Sequence, residues 1–304
     1  MARTVKSLAS GGKQPKNRAT TIPPALSFVS ATTMSEPSAW IPVGELGTAF
    51  QRGAYRLRSV EPLLGRRVAL HLEDQAILDC SFEPGSRLTW SINRGSLGIE
   101  NGTAPYEATE IRPGIVFVDF VPPRERRTAV TLVLDLRRGI CTALVGRLPT
   151  AEEARTPLSE RIERNSELTG VTAVFLAGAI DRPFTDTTPR HALTRELLGK
   201  LIEYSYSPSE RYQHVYLNEN LYTWHCLEGA EKGLADTDLC SYRKVSDRLY
   251  LFVWREKIVP TLGVVIVDLE QMKTTGKIFG YRDFRFDEVS NFAIGAWARI
   301  ESSL

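Results

Sequence analysis

The chain repeats itself. Leu63-Leu64-Gly65 recurs as Leu197-Leu198-Gly199, Thr89-Trp90 as Thr223-Trp224, Phe120 as Trp254 and Gly146 as Gly280, each pair 134 residues apart. A fixed offset of that size divides the chain into two copies of one structural plan before any motif is read. The 304 residues are enough for two domains, each burying its own core. The expected division is a tail over 1–37, a first domain over 38–181 and a second over 182–304.

From Trp40 onward the apolar pattern is short and strand-like, with runs of four to eight residues between turn residues. In the first copy the pattern predicts strands near 66–72, 76–82, 87–92, 104–111, 115–121, 128–136, 139–146 and 170–180. In the second it predicts them near 200–206, 211–217, 221–227, 236–243, 248–256, 262–269, 275–281 and 291–299. Turn chemistry separates them, as at Glu83-Pro84-Gly85-Ser86, Pro122-Pro123-Arg124 and Arg137-Arg138-Gly139. Between the copies, residues 150–166 read as a helix opened by a threonine cap and early acidic residues. A second short helix, "HALTRELLGK", is expected to open the second copy. Seven or eight short antiparallel strands per copy suit a closed barrel, because closure removes the sheet edges. The expected fold class is all-β, two antiparallel β-barrels in tandem joined by a short helical segment.

Composition excludes several functions. Net charge is +2 with signs interspersed, so no basic stripe suggests nucleic acid. No apolar run is long enough to span a bilayer. Cys80, Cys141, Cys226 and Cys240 form no C-x-x-C pair and no zinc-like spacing, and read as reduced thiols of a cytoplasmic protein. The first 37 residues are rich in Ser, Thr, Ala and Pro and basic, with Glu36 as their one acid; they read as a disordered tail, and their composition also suits an organelle transit peptide. Phosphate-loop, dinucleotide, nucleophile-elbow and zincin motifs are all missing, so no metal or nucleotide cofactor is expected.

The two copies share a frame but differ in content. Seven of the ten tyrosines fall between Tyr204 and Tyr250, and three of the four histidines lie in the second copy. Where the first copy has Leu88, Trp90 and Ile92 on one strand face, the second has Tyr222, Trp224 and Cys226, with His225 on the opposite face. Inside a barrel such groups supply the few polar contacts that a small-molecule pocket needs among apolar walls. Imidazole and phenol also pass protons without a cofactor. His214, Tyr216 and His225 are the candidates for acid and base roles, with Asp236 orienting. Tyr204, Tyr222, Trp224 and Trp254 are candidate pocket walls. Arg255 is a candidate anion clamp, or else caps an exposed edge. In the loop after His225, Glu231 and Lys232 read as solvated.

The strings "HVYLNENLYTWHCLEGAEKGLADTDLCSY" and "LYLFVWREKIVPTLGVVIVDLEQMKTTGKIFGYRDF" closely resemble the C-terminal domain of the molybdenum cofactor biosynthesis protein F (MoaF) family. "WIPVGELGTAF", "RPGIVFVDFV" and "VTLVLDLRRGICTALVGRLP" resemble its N-terminal domain. The resemblance implies a calycin, or lipocalin-like, barrel in each half. In architecture the barrels also resemble phenolic acid decarboxylases, whose cofactor-free pocket of tyrosines, an arginine and a glutamate processes an aromatic acid. The expectation is a cofactor-independent lyase, isomerase or cyclase holding a hydrophobic or aromatic small molecule in the second barrel. The first barrel would be a structural copy, or the contact surface of a homodimer. The alternative is a non-catalytic small-molecule carrier. Neither nucleic acid nor a membrane is an expected partner.

Overall fold

The structure is a computed structural model that describes residues 39–51, 55–95 and 97–303; the tail expected over 1–37 lies outside them. Two closed eight-stranded antiparallel barrels follow one another along the chain. The first runs through β1 (Arg67–Leu72), β2 (Ile77–Glu83), β3 (Arg87–Arg94), β4 (Gly102–Arg112), β5 (Ile115–Phe120), β6 (Thr128–Asp135), β7 (Ile140–Arg147) and β8 (Thr172–Ile180), which closes on β1. The second runs through β9 (Lys200–Ser207), β10 (Glu210–Tyr216), β11 (Leu221–Glu228), β12 (Ala235–Ser246), β13 (Leu249–Glu256), β14 (Thr261–Asp268), β15 (Lys273–Tyr281) and β16 (Val289–Ser303), which closes on β9. All sixteen coincide with strands predicted from the sequence. Among the described residues the helices are α1 (Val43–Gln51), α2 (Ala151–Ala154) and α3 (Leu158–Glu163).

Three local readings change. The stretch 150–166 is two helices, because Pro157 cannot sit inside one and instead precedes α3. Thr150 does cap α2, in a reciprocal capping box with Glu153. "HALTRELLGK" forms a bridge at Leu193 and a turn that ends at Gly199, whose φ is +76°. The helix α1 went unread in sequence, although Val43, Leu46 and Phe50 carry its 3.6-residue spacing.

The repeat is real, and its register shifts twice. Gly65 and Gly199 both take positive φ, and their amides donate to equivalent carbonyls, Phe82 O and Tyr216 O, each at 2.8 Å. Trp90 and Trp224, and Phe120 and Trp254, face the interiors of their own barrels. The hairpin after Trp254 is one residue shorter than that after Phe120, so from there through β15 equivalent residues are 133 apart; α2 and α3 then lengthen the first copy, and in the closing strands Ala179 matches Trp297. Asp135 shows the first shift by accepting from the amides of Arg137 and Arg138, as Asp268 does from Glu270 and Gln271. Gly146 and Gly280 are therefore not equivalent. A Cβ on Gly146 would strike Leu262 between the barrels, whereas one on Gly280 would strike Val43, which packs with the core of the second barrel.

The barrels pack through a shared apolar layer that joins Phe117, Val133 and Leu144 of the first to Leu251, Val253, Leu262, Val264 and Phe279 of the second. This layer explains why β5, β6 and β14 are buried at every residue: one face looks into a barrel and the other into the joint. Arg112 crosses the joint with a two-pronged pair to Asp268, at 2.7 and 2.8 Å.

Candidate functional site

Alternation along β9 to β13 turns a dense set of rings inward. Tyr204, Tyr212, His214, Tyr216, Tyr222, Trp224, Tyr242, Phe252 and Trp254 are all buried in the second barrel. Phe252 stands at the hub, with Tyr222 at 5.0 Å, Trp254 at 5.2 Å, Tyr216 at 5.2 Å and Tyr242 at 5.5 Å between ring centres. The polar tips pair locally. Tyr204 and Tyr216 share a hydroxyl contact of 2.6 Å, Trp224 Nε1 donates to Asp238 at 3.1 Å and Trp254 Nε1 donates to Glu256 at 2.7 Å. Tyr212 donates to Glu231 at 3.1 Å.

At one end of this interior, Glu231, Glu256, His214, Tyr222 and Trp254 border a cavity of about 30 Å³, enough for a water or two. The helix α1 plugs that end. Its Leu46 and Phe50 complete the cavity wall, and Phe50 lies 4.7 Å from the Tyr206 ring. Just ahead of it, Trp40 meets Trp224 edge-on at 5.6 Å. Gly229, at φ +130°, lets the β11–β12 hairpin fold over the barrel end, since a Cβ there would strike the Glu210 carboxylate.

Burial sets the protonation states. It holds His214, 5% exposed and with Nδ1 unpartnered, down at about 3, so the ring is neutral near pH 7. It also pushes Tyr216 and Tyr222 well above the usual phenol range. The groups that can exchange a proton are therefore carboxyls. Burial raises Glu231 to about 7 against the pull of the Tyr212 hydroxyl, and burial with Asp238 and Glu231 nearby drives Glu256 well above the carboxylate range. Asp238 is raised by burial, with Lys257 opposing. Among the described residues, the core cluster of the first barrel holds no carboxyl.

The raised Glu231 makes stability fall with pH. Its contribution is complete below the unfolded value near 4 and disappears as pH rises through about 7. Glu231→Gln is expected to flatten that slope by on the order of 3 kcal/mol between pH 4 and 8. Urea midpoints measured across that range would show it; an unchanged slope would place the titration elsewhere.

Of the residues expected from sequence, His214, Tyr204, Tyr216, Tyr222, Trp224 and Trp254 come together inside the barrel. Three do not join them. His225 lies on the outer face of β11 opposite Ala235, because alternation that turns Trp224 and Cys226 inward turns it out. Asp236 stands at the rim, bonded to Lys257 and to the Thr237 amide rather than to any imidazole. Arg255 points into the joint between barrels, donating to Glu167 at 2.6 Å and to Val171 O at 2.9 Å. It is a strap between barrels, not an anion clamp. His214 is corrected in role: a neutral, desolvated ring is a poor acid. Glu231 was missed because a loop glutamate looks solvated, yet it is 7% exposed. The flanking Gly229 and Gly233 were the available sign that its hairpin folds back.

Comparison with known proteins agrees with this two-part plan. The MoaF N-terminal domain model matches residues 38–150 and the MoaF C-terminal domain model matches residues 191–303. A crystal structure of a putative beta-lactamase from Burkholderia vietnamiensis aligns over 36% of this chain and 99% of its own, at 15% identity and a TM-score of 0.30, too weak a likeness to carry an argument. Protein MoaF from Klebsiella aerogenes is 38% identical over 267 residues, spanning 88% of this chain and 97% of that protein. With both domain models matched in order and a relative aligned over almost its full length, the chain belongs to the MoaF family.

Proposed function

We propose that the second barrel is a cofactor-independent proton-transfer site for a small hydrophobic, aromatic molecule, working as a lyase, isomerase or cyclase. The observation that carries this reading is the convergence of Glu231 and Glu256 on one ring-walled cavity, both held above the ordinary carboxylate range. Two carboxyls tuned to different strengths can add a proton at one atom of a conjugated substrate and remove one at another. Glu256 is the proton donor, Glu231 exchanges protons near neutrality, and Tyr222, Trp224 and Trp254 hold the ring. The neutral His214 is a hydrogen-bonding wall. Because the cavity under α1 is small, the substrate enters only when α1 lifts, and Phe50 is the latch.

The test is a titration of tryptophan fluorescence with a panel of aromatic acids and their neutral analogues, followed by mass analysis of each bound compound. Conversion that Glu256→Gln lowers by at least roughly a hundredfold, with binding kept, is the expected result. Binding without conversion would make the protein a carrier. Absence of binding even after Phe50→Ala unlatches α1 would remove the pocket altogether.

A further inference from the structure

A second cavity lies apart from the barrel interior. Between the barrels a cleft of about 490 Å³ is bordered by Asp119 of β5, Thr275 and Lys277 of β15, and Asn291 of β16. Arg56, Leu57 and Ser59, from the extended segment ahead of β1, form another wall, and Phe117, Val121 and Ala293 make much of the rest apolar.

Lys277 is only 1% exposed and pairs with Asp119. The carboxylate is fixed from two further sides, by the Thr131 hydroxyl at 3.0 Å and Asn291 Nδ2 at 2.6 Å. Two residues along the same face of β15, the Thr275 hydroxyl is buried with no partner among the described residues. The scaffold does not require this arrangement. In the other copy the position of Lys277 is Leu144 and that of Asp119 is Val253, both apolar members of the joint. A buried charge pair is no better for stability than such residues, and is commonly worse. Its presence in a cleft, beside an unpartnered hydroxyl, therefore calls for chemistry.

The geometry points to Lys277 as a reactive amine that forms an imine with a small aldehyde or ketone bound in the cleft. Asp119 takes a proton from the ammonium and frees the nitrogen lone pair. The nitrogen attacks the carbonyl carbon, a C–N bond forms, and the carbonyl electron pair moves to oxygen, where the Thr275 hydroxyl donates a hydrogen bond. The resulting carbinolamine takes back the proton and loses water, so amine and carbonyl give imine and water with no redox change. Burial holds the Lys277 ammonium below the usual lysine range, with Asp119 opposing, which favours the free amine. The apolar walls suit a carbonyl compound with a hydrocarbon or aromatic body. This site is independent of the proton-transfer reading of the second barrel.

The experiment is reductive trapping on the intact chain. Protein at pH 7 is treated with benzaldehyde or propanal at low molar excess, reduced with sodium borohydride, digested, and each lysine peptide is weighed. The expected result is Lys277 labelled roughly tenfold or more above any exposed lysine, because the cleft holds the carbonyl compound beside the amine and Asp119 takes its proton. Lys277→Arg, which keeps the pair with Asp119, abolishes that label. Thr275→Val slows it by roughly tenfold at unchanged thermal stability. Label spread over surface lysines with Lys277 unmodified, or labelled no faster than they are, would overturn the proposal and leave an ion pair that only joins the barrels.

Discussion

Phe252→Ala is expected to lower unfolding stability by roughly 3–5 kcal/mol, the range for emptying an aromatic side chain from a packed core. Phe252 is fully buried and its ring touches most of the polar-tipped rings of the second barrel: Tyr216, Tyr222, Tyr242, His214 and Trp254. Those neighbours cannot collapse into the gap without giving up the hydrogen bonds at their far ends, such as Tyr216 to Tyr204 and Trp254 to Glu256. The equivalent interior position in the first barrel is Val118. There the same truncation removes less volume, so Val118→Ala is the matched control with a smaller loss. Guanidinium unfolding followed by tryptophan fluorescence measures both. A loss below about 1 kcal/mol for Phe252→Ala would mean that the interior repacks freely, as a loosely specified core does.

Asp268→Ala is expected to cost about 3 kcal/mol, the low end of the range for removing one partner of a buried pair. The low end applies because Arg112 keeps some solvent and a second contact, with Glu270 at 3.0 Å. Asp268 also accepts from the amides of Glu270 and Gln271 at the end of β14, so its loss frays a turn as well as the joint. The pair has a pH signature of its own. Burial, the largest single influence, would raise the Asp268 carboxyl, but the hydrogen bonds and charge of Arg112 together with the Gln271 and Glu270 amides outweigh it and hold the group below its usual value. Its stabilisation is therefore complete above about pH 4 and is lost as pH falls through the folded value. Asp268→Asn should lack that acid-side loss, whereas Glu231→Gln flattens the slope on the neutral side. Calorimetry at pH 3 and pH 6 separates them: an acid slope that survives in Asp268→Asn would mean that the pair is not what acid breaks.

Much of the fold could be read from short-range pattern. Period-two alternation and turn residues located every strand, and closure followed because so many short antiparallel strands leave edges that a barrel removes. The second copy's surplus of Tyr and His marked the barrel whose interior is polar, and strand parity grouped Tyr222 with Trp224 and Cys226, leaving His225 on the other face. Parity alone, however, does not say which face is inside. Along β13, "LYLFVWRE" is apolar on both faces, one lining the barrel and the other the joint, so Arg255 read as a pocket clamp or the cap of an exposed edge, and its place between the barrels was not foreseen.

What the sequence by itself determined is the number of strands, their order, the doubled plan and the aromatic character of the second interior. These depend on neighbours a few residues apart, or on one repeat read against the other. The tertiary structure alone decided that α1 plugs the second barrel, that Glu231 folds inward while Asp236 stays at the rim with Lys257, and that Lys277 meets Asp119 in a cleft. Each of those depends on segments distant in sequence removing water from a polar group. A local pattern carries no information about which partner will do that.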